Sequence, residues 1–140
     1  MVCQMTPEES AQIAIFQWAS MNEARFPELR LLCHYPAGGS RNMLEAVKLK
    51  RMGVRKGYPD IFMPVARGGF HGLYIELKAE SLRPKTTRGK GGVSDEQAWW
   101  LEELRKQGFS THVCWGFDEA RKTIEEYLKI GGASEGSKKH

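Results

Sequence analysis

The segment KGYPDIFMPVARGGFHGLYIELK, Lys56 to Lys78, constrains the fold of this chain more than any other. It holds two short apolar runs, Ile61 to Val65 and Leu73 to Lys78, joined by ARGGFHG. Runs of this length, rich in β-branched and aromatic residues and separated by glycines, predict two strands of an antiparallel hairpin. Such a hairpin brings the start of one strand beside the end of the other. Asp60, after Pro59, and Glu76 are therefore expected to be neighbours although they lie sixteen positions apart. Glu76 and Lys78 share one face of their strand because side chains alternate, and Leu77 points the other way into the core.

Around this hairpin the chain punctuates itself clearly. Thr6-Pro7-Glu8-Glu9 is a helix start, with Thr6 as N-cap, Pro7 in the first turn and Glu9 closing a capping box. Ile13, Ile15, Phe16 and Trp18 predict a helix that is largely buried and fades between Met21 and Phe26. Leu29 to Tyr35 reads as a strand, PAGGS as a turn, and Arg41 to Met52 as a helix ended by Gly53. Glu80 to Val93 reads as a basic loop, and Ser94-Asp95-Glu96-Gln97 starts a further helix that presents Trp100, Leu101 and Leu104. Phe109 to Trp115 alternates as a strand, and Asp118 is expected to cap a last helix with Ala120, Ile124 and Leu128 inward. This order of elements predicts an α/β domain with a mixed central sheet flanked by helices. Its 140 residues suit one domain, 1–130, followed by a flexible tail, 131–140.

Composition narrows the setting. The chain is 41% hydrophobic and 27% charged, as in a globular domain, and no apolar stretch is long enough to span a bilayer. No secretory signal is evident, and Cys3, Cys33 and Cys114 form neither a CxxC pair nor a zinc spacing, so a cytoplasmic protein with free thiols is expected. The net charge of +4 is concentrated in KLKRMGVRK (Lys48 to Lys56) and RPKTTRGKGG (Arg83 to Gly92), which favours a polyanionic partner.

Two carboxylates held together repel unless a cation lies between them. Oxygen donors without nearby His or Cys favour Mg2+ or Mn2+. Such an ion neutralises charge on a phosphoryl group and activates water, while Lys78, on the same face, orients that water or stabilises the phosphorus centre. An isolated D…ExK is common and more often describes a turn acid and a surface pair. Here Pro-Asp precedes one strand, ExK ends another, hairpin glycines separate them, and basic segments flank both.

Pro59-Asp60 with Glu76-Leu77-Lys78 resembles the PD-(D/E)XK nuclease signature. The wider pattern, Gly38 to Arg41, Ala46 to Phe62, Gly72 to Lys78 and Val93 to Phe109, resembles the VRR-NUC (virus-type replication-repair nuclease) branch, in a stand-alone, phage-type form. The resemblance reaches back to the first helix. It implies a restriction-endonuclease-like core, with Asp60, Glu76 and the Leu77 carbonyl as metal ligands and Lys78 as the catalytic lysine. It also implies a first-helix glutamate, for which Glu8 is preferred because Glu9 already has the capping box. Gln97 matches the family's glutamine and can serve both cap and metal site. Arg41 matches an arginine that contacts phosphate or pairs with a carboxylate. Lys56 and the loop carrying Arg83, Lys85, Arg88 and Lys90 are natural phosphate contacts.

Trp99 is expected to pack on a neighbouring element or a partner subunit before any base. His34 and His71 read as ordinary polar residues. The resemblance implies a homodimer acting on branched DNA such as a Holliday junction. The alternatives are an inactive DNA-binding module on the same fold, or an enzyme acting on RNA.

Overall fold

A computed structural model describes residues 4–36 and 42–131. The elements run α1 (Pro7–Met21), β1 (Cys33–His34), α2 (Met43–Arg51), β2 (Ile61–Met63), β3 (Leu73–Lys78), α3 (Asp95–Lys106), β4 (Ser110–Trp115) and α4 (Phe117–Lys129). Single turns of 3-10 helix lie at Pro27–Leu31 and Glu80–Leu82.

The four strands form one mixed sheet in the order β1-β2-β3-β4. β1 with β2 and β2 with β3 are antiparallel, whereas β4 lies parallel to β3, with α3 in the connection. Both capping boxes form as the sequence predicts, Thr6 with Glu9 and Ser94 with Gln97. The hairpin also closes as predicted, with an Arg67–Phe70 bridge in its connection.

One face of the sheet carries Ile61, Met63, Leu73, Ile75, Leu77 and Cys114, which pack against Ile15 and Ala19 of α1 and against Ala120, Ile124, Tyr127 and Leu128 of α4. The alternate β3 residues Tyr74, Glu76 and Lys78 face α3. There Tyr58 joins the rings of Tyr74 and Trp100, and Gln97 reaches Glu76. The sheet is thus a wall between an apolar layer and a layer rich in aromatic and charged groups.

Several boundaries differ from the sequence reading. Leu29 to Tyr35 is not one strand: Pro27, at the first position, opens a 3-10 turn that buries Leu29, and only Cys33 and His34 pair with β2. The helix expected over Arg41 to Met52 spans Met43–Arg51, because Asn42 is its N-cap and accepts from the Glu45 amide at 2.7 Å. The strand expected over Ile61 to Val65 stops at Met63.

α1 is not largely buried; only Ile15 and Ala19 are, while Ile13 and Met21 remain exposed. Its apolar residues cover more girth than the single stripe that touches the sheet. The last helix is capped by Gly116, at φ 92, and Asp118 sits in the first turn, where its charge complements the helix dipole. The tail from residue 132 and Cys3 lie outside the described residues.

The core and α2 make opposite predictions. Ile15 is fully buried, so Ile15→Ala should cost about 2–5 kcal/mol in urea unfolding. Leu44 on α2 is 84% exposed, and Leu44→Ala should change stability by less than about 0.5 kcal/mol. Equal losses would contradict this packing.

Candidate active site

The register of the hairpin builds the site. Ile61 pairs with Ile75, which sets Asp60, the residue just before β2, opposite Glu76. Asp60 Oδ2 accepts from the Leu77 amide at 2.8 Å, so its side chain is pinned to the very strand that carries Glu76. The Asp60 carbonyl is held from the other side by the Tyr35 amide at 2.9 Å and by His34 Nδ1 at 2.9 Å. A carbonyl only accepts, so Nδ1 carries the proton in that contact.

Glu76 is 2% exposed. Its Oε2 accepts from Gln97 Nε2 at 2.9 Å and lies 3.6 Å from Lys78 Nζ. Its Oε1 is buried without a hydrogen-bond partner among the described residues. Lys78 is also buried, on the same face. The Lys78 carbonyl accepts from the Gly116 amide and so points to β4. Alternation turns the Leu77 carbonyl the other way, toward Asp60 and past the last paired residue of β2.

Burial raises the Glu76 carboxyl from its ordinary 4.5 to about 9, with Asp60 adding repulsion and Lys78 opposing it. Burial also raises Asp60, against the lowering pull of the Leu77 amide. Glu8 is the third acid. Half-buried, it is raised first by burial and then by the charge of Asp60, and lowered by Lys78, so it belongs to the same electrostatic neighbourhood. Glu9 spends its carboxylate on the Thr6 amide at 3.0 Å, as the capping box requires.

The donor set fits a hard divalent cation. The half-buried Asp60 and the buried Glu76, which carries an orphaned oxygen, stand beside the edge of β3 that bears the Leu77 amide and carbonyl, with no cluster of imidazole or thiolate donors among the described residues. Among the described residues no group of three or more His, Cys, Asp and Glu encloses a metal position, so most of the coordination sphere would be left to water and substrate oxygens.

The other residues expected at the site fall into distinct groups. Asp60, Glu76, Leu77, Lys78, Gln97 and Glu8 are brought together. Arg41 lies outside the described residues. Lys56 is exposed and 3.6 Å from Glu96. Arg83 is not free: it bonds Glu119 at 2.6 Å and the Trp115 carbonyl at 3.2 Å, which fastens one end of the basic loop. Lys90 lies 3.4 Å from Asp95, while Lys85 and Arg88 make no ion pair among the described residues. Trp99 remains 56% exposed, and its ring stands edge-on to Trp100.

The sequence reading missed what fastens the Asp60 segment. Tyr35 Oη accepts from the Arg55 amide at 3.0 Å, and Trp100 Nε1 donates to the Lys56 carbonyl at 3.0 Å. Tyr58 packs against Tyr35, Tyr74 and Trp100 and shares a hydrogen bond with the Tyr74 hydroxyl. Gly57, at φ 88, passes so close to α3 that a Cβ there would lie 2.9 Å from Glu96 Cβ and 3.2 Å from the Gln97 amide nitrogen. The density of aromatics around Pro59 was the available signal. His34 offered none, because a two-residue edge strand leaves no periodicity.

Two measurements test this electrostatic and steric reading. The unfolded chain releases the Glu76 proton near 4.5 and the folded chain holds it to about 9. Between those values only the folded state binds the proton, so stability falls as pH rises. Metal-free protein should melt lower at pH 8 than at pH 5, and Glu76→Gln should flatten that slope and add about 1–3 kcal/mol at pH 8. A Glu76→Gln protein that melts lower than wild type at pH 8 would contradict it. Gly57→Ala should cost about 2–4 kcal/mol, strain and clash together. Gly53→Ala, at φ 106 with open space around it, should cost only about 1–2 kcal/mol.

The VRR-NUC domain family model matches residues 2–118. A solved structure described as a VRR_NUC domain protein superposes with a TM-score of 0.72 and 31% sequence identity, covering 93% of this chain and 94% of that chain. No curated protein matches. With its mixed sheet, its hairpin acids and a family match over most of its length, the chain belongs to the VRR-NUC family, nucleases of the PD-(D/E)XK class.

Proposed function

We propose that this protein is a Mg2+-dependent, structure-selective DNA endonuclease that hydrolyses phosphodiester bonds in branched DNA, in the manner of a Holliday-junction resolvase. The observation that carries the reading is the half-buried Asp60 carboxylate beside the buried Glu76, with one Glu76 oxygen unpartnered among the described residues and Lys78 3.6 Å away. Pairs of buried like charges are costly, and a fold retains them where a cation or substrate compensates.

Asp60, Glu76 and the Leu77 carbonyl would hold Mg2+ (or Mn2+), which when bound supplies Lewis-acid charge at the scissile phosphate. The chain's own groups do the rest. The Leu77 amide fixes the Asp60 carboxylate, and Gln97 fixes Glu76. Both side chains are therefore held in place before a cation or substrate arrives, and such preorganisation is the main source of electrostatic catalysis. Lys78 Nζ lies 3.6 Å from Glu76 Oε2 on the same face, so its ammonium would donate to a phosphoryl oxygen or to the attacking water. Glu8, whose carboxylate senses Asp60 and Lys78, accepts a hydrogen bond from that water. Lys56, Lys85, Arg88 and Lys90, all exposed or half-exposed cations flanking the site, provide contacts to the phosphate backbone.

A homodimer suits a four-way junction, because two symmetric cuts need two sites related by a two-fold axis. Among the described residues no helix is long and apolar enough to cross a membrane. The free thiols Cys33, exposed, and Cys114, buried, suit a reducing cytoplasm.

The test uses a synthetic four-way junction with Mg2+, with and without EDTA. Wild type should nick the junction only in the presence of the ion. Asp60→Ala, Glu76→Ala and Lys78→Ala should each lose at least about 10²–10³ in rate while still shifting the junction in a gel. Bound but uncut DNA for the wild type would favour an inactive binding module. Faster cutting of a matched RNA junction would overturn the substrate.

A further inference from the structure

α2 is the one α-helix of the described structure that buries no residue. Only Leu49 is even half-covered; Met43 is 79% exposed, Leu44 84% and Val47 51%. Its formation is nevertheless well determined, by the Asn42 cap, by Glu45 in the first turn and by Lys48, Lys50 and Arg51 toward the end, where cations complement the dipole.

Spacings of three, four and seven place Met43, Leu44, Val47, Lys48, Lys50 and Arg51 on one broad face. That face mixes three apolar and three cationic side chains. Apolar side chains grouped on an exposed face mark an interaction site. The described fold leaves this face uncovered.

From this placement we infer that the outer face of α2 binds the branch point of the DNA substrate, its cations on phosphates and its Met43–Leu44–Val47 ridge on unstacked bases. The inference rests on the nuclease reading above.

Two observations favour nucleic acid over a second copy of the chain. If α2 met the same helix of a two-fold partner, Lys48, Lys50 and Arg51 of both copies would crowd together without an acid on that face, and like charges oppose such contact. Phosphates complement the same three cations directly. An apolar ridge gains little against intact duplex, whose outside is charged sugar–phosphate, but gains from base faces that a branch exposes.

The geometry also ties α2 to the site. The segment that follows it is bonded through the Arg55 amide to Tyr35 and through the Lys56 carbonyl to Trp100, and then delivers Asp60. DNA seated on α2 thus has its backbone led toward the carboxylates by a fastened arm.

The experiment measures binding rather than cleavage, so it stands apart from the nuclease test. Full-length Glu76→Gln protein in EDTA is titrated with a synthetic four-way junction and with linear duplex of the same sequence, by fluorescence anisotropy. Its oligomeric state without DNA is followed by sedimentation. Adding Met43→Ser, Leu44→Ser and Val47→Ser together should remove apolar burial against the bases and weaken junction binding about tenfold or more, and duplex binding little. Adding Lys48→Ala, Lys50→Ala and Arg51→Ala should weaken both and reduce the salt slope by about two to three. Since these side chains are exposed, circular dichroism and melting should stay unchanged.

Unchanged junction affinity in the serine variant would overturn the inference, as would an unchanged salt slope in the alanine variant. Conversion of a dimer to a monomer by the serine variant would assign the face to a second copy and also overturn it. Absence of Mg2+-dependent nicking by wild type would instead sink the nuclease reading, whatever the binding data.

Discussion

The structure depends on one pairing, Ile61 opposite Ile75. That register decides which residues of the hairpin face the apolar layer and which face α3. It puts Leu77 among the core residues, and Glu76 and Lys78 behind the sheet, where water is largely absent. β2 begins only at Ile61, one residue after Asp60, so the acid's side chain stands beside the ladder and turns to the Leu77 amide. A slip of one residue would send Glu76 into the core and Leu77 out of it. The apolar layer therefore enforces the geometry of the polar one.

Around the two carboxylates the fold spends capping and aromatic contacts rather than further charge. Gln97 links the two ends of this arrangement. Its Oε1 accepts from the Ser94 amide while its Nε2 donates to Glu76, so one side chain both starts α3 and orients the acid. Gly57 lets the Asp60 segment lie against that same helix start, and Tyr58 locks it between Tyr74 and Trp100. The basic loop is fastened in a similar way, since Arg83 bridges Glu119 and the Trp115 carbonyl. Lys85 and Arg88 stay available between fixed ends.

Most of this was legible where the chain carries local signals. The capping boxes at Thr6 and Ser94, the hairpin glycines and the alternation in Leu73 to Lys78 identify α1, α3 and the β2–β3 hairpin correctly. With them comes the neighbourhood of Asp60, Glu76 and Lys78. The capping box likewise separates Glu9 from Glu8.

Where tertiary contacts decide, the sequence is silent. Leu29 looks like a strand residue because it is apolar, yet Pro27 coils it into a 3-10 turn. Val47 and Leu44 look like core residues because they recur at helical spacing, yet nothing in the described fold covers them. Asp118 looks like a cap, but Gly116 at positive φ takes that place. His34 reaches Asp60 only through the pairing of a two-residue edge strand.

The central claim is that the fold holds Asp60 and Glu76 together at an electrostatic cost that a divalent ion relieves. Carbon-13 NMR titration of the Glu76 carboxyl, with and without Mg2+, tests it most directly. The expected result is a midpoint far above the ordinary carboxylate range in EDTA and a large downward shift when Mg2+ is added, a shift that Asp60→Asn removes. An ordinary midpoint that ignores Mg2+ would contradict it.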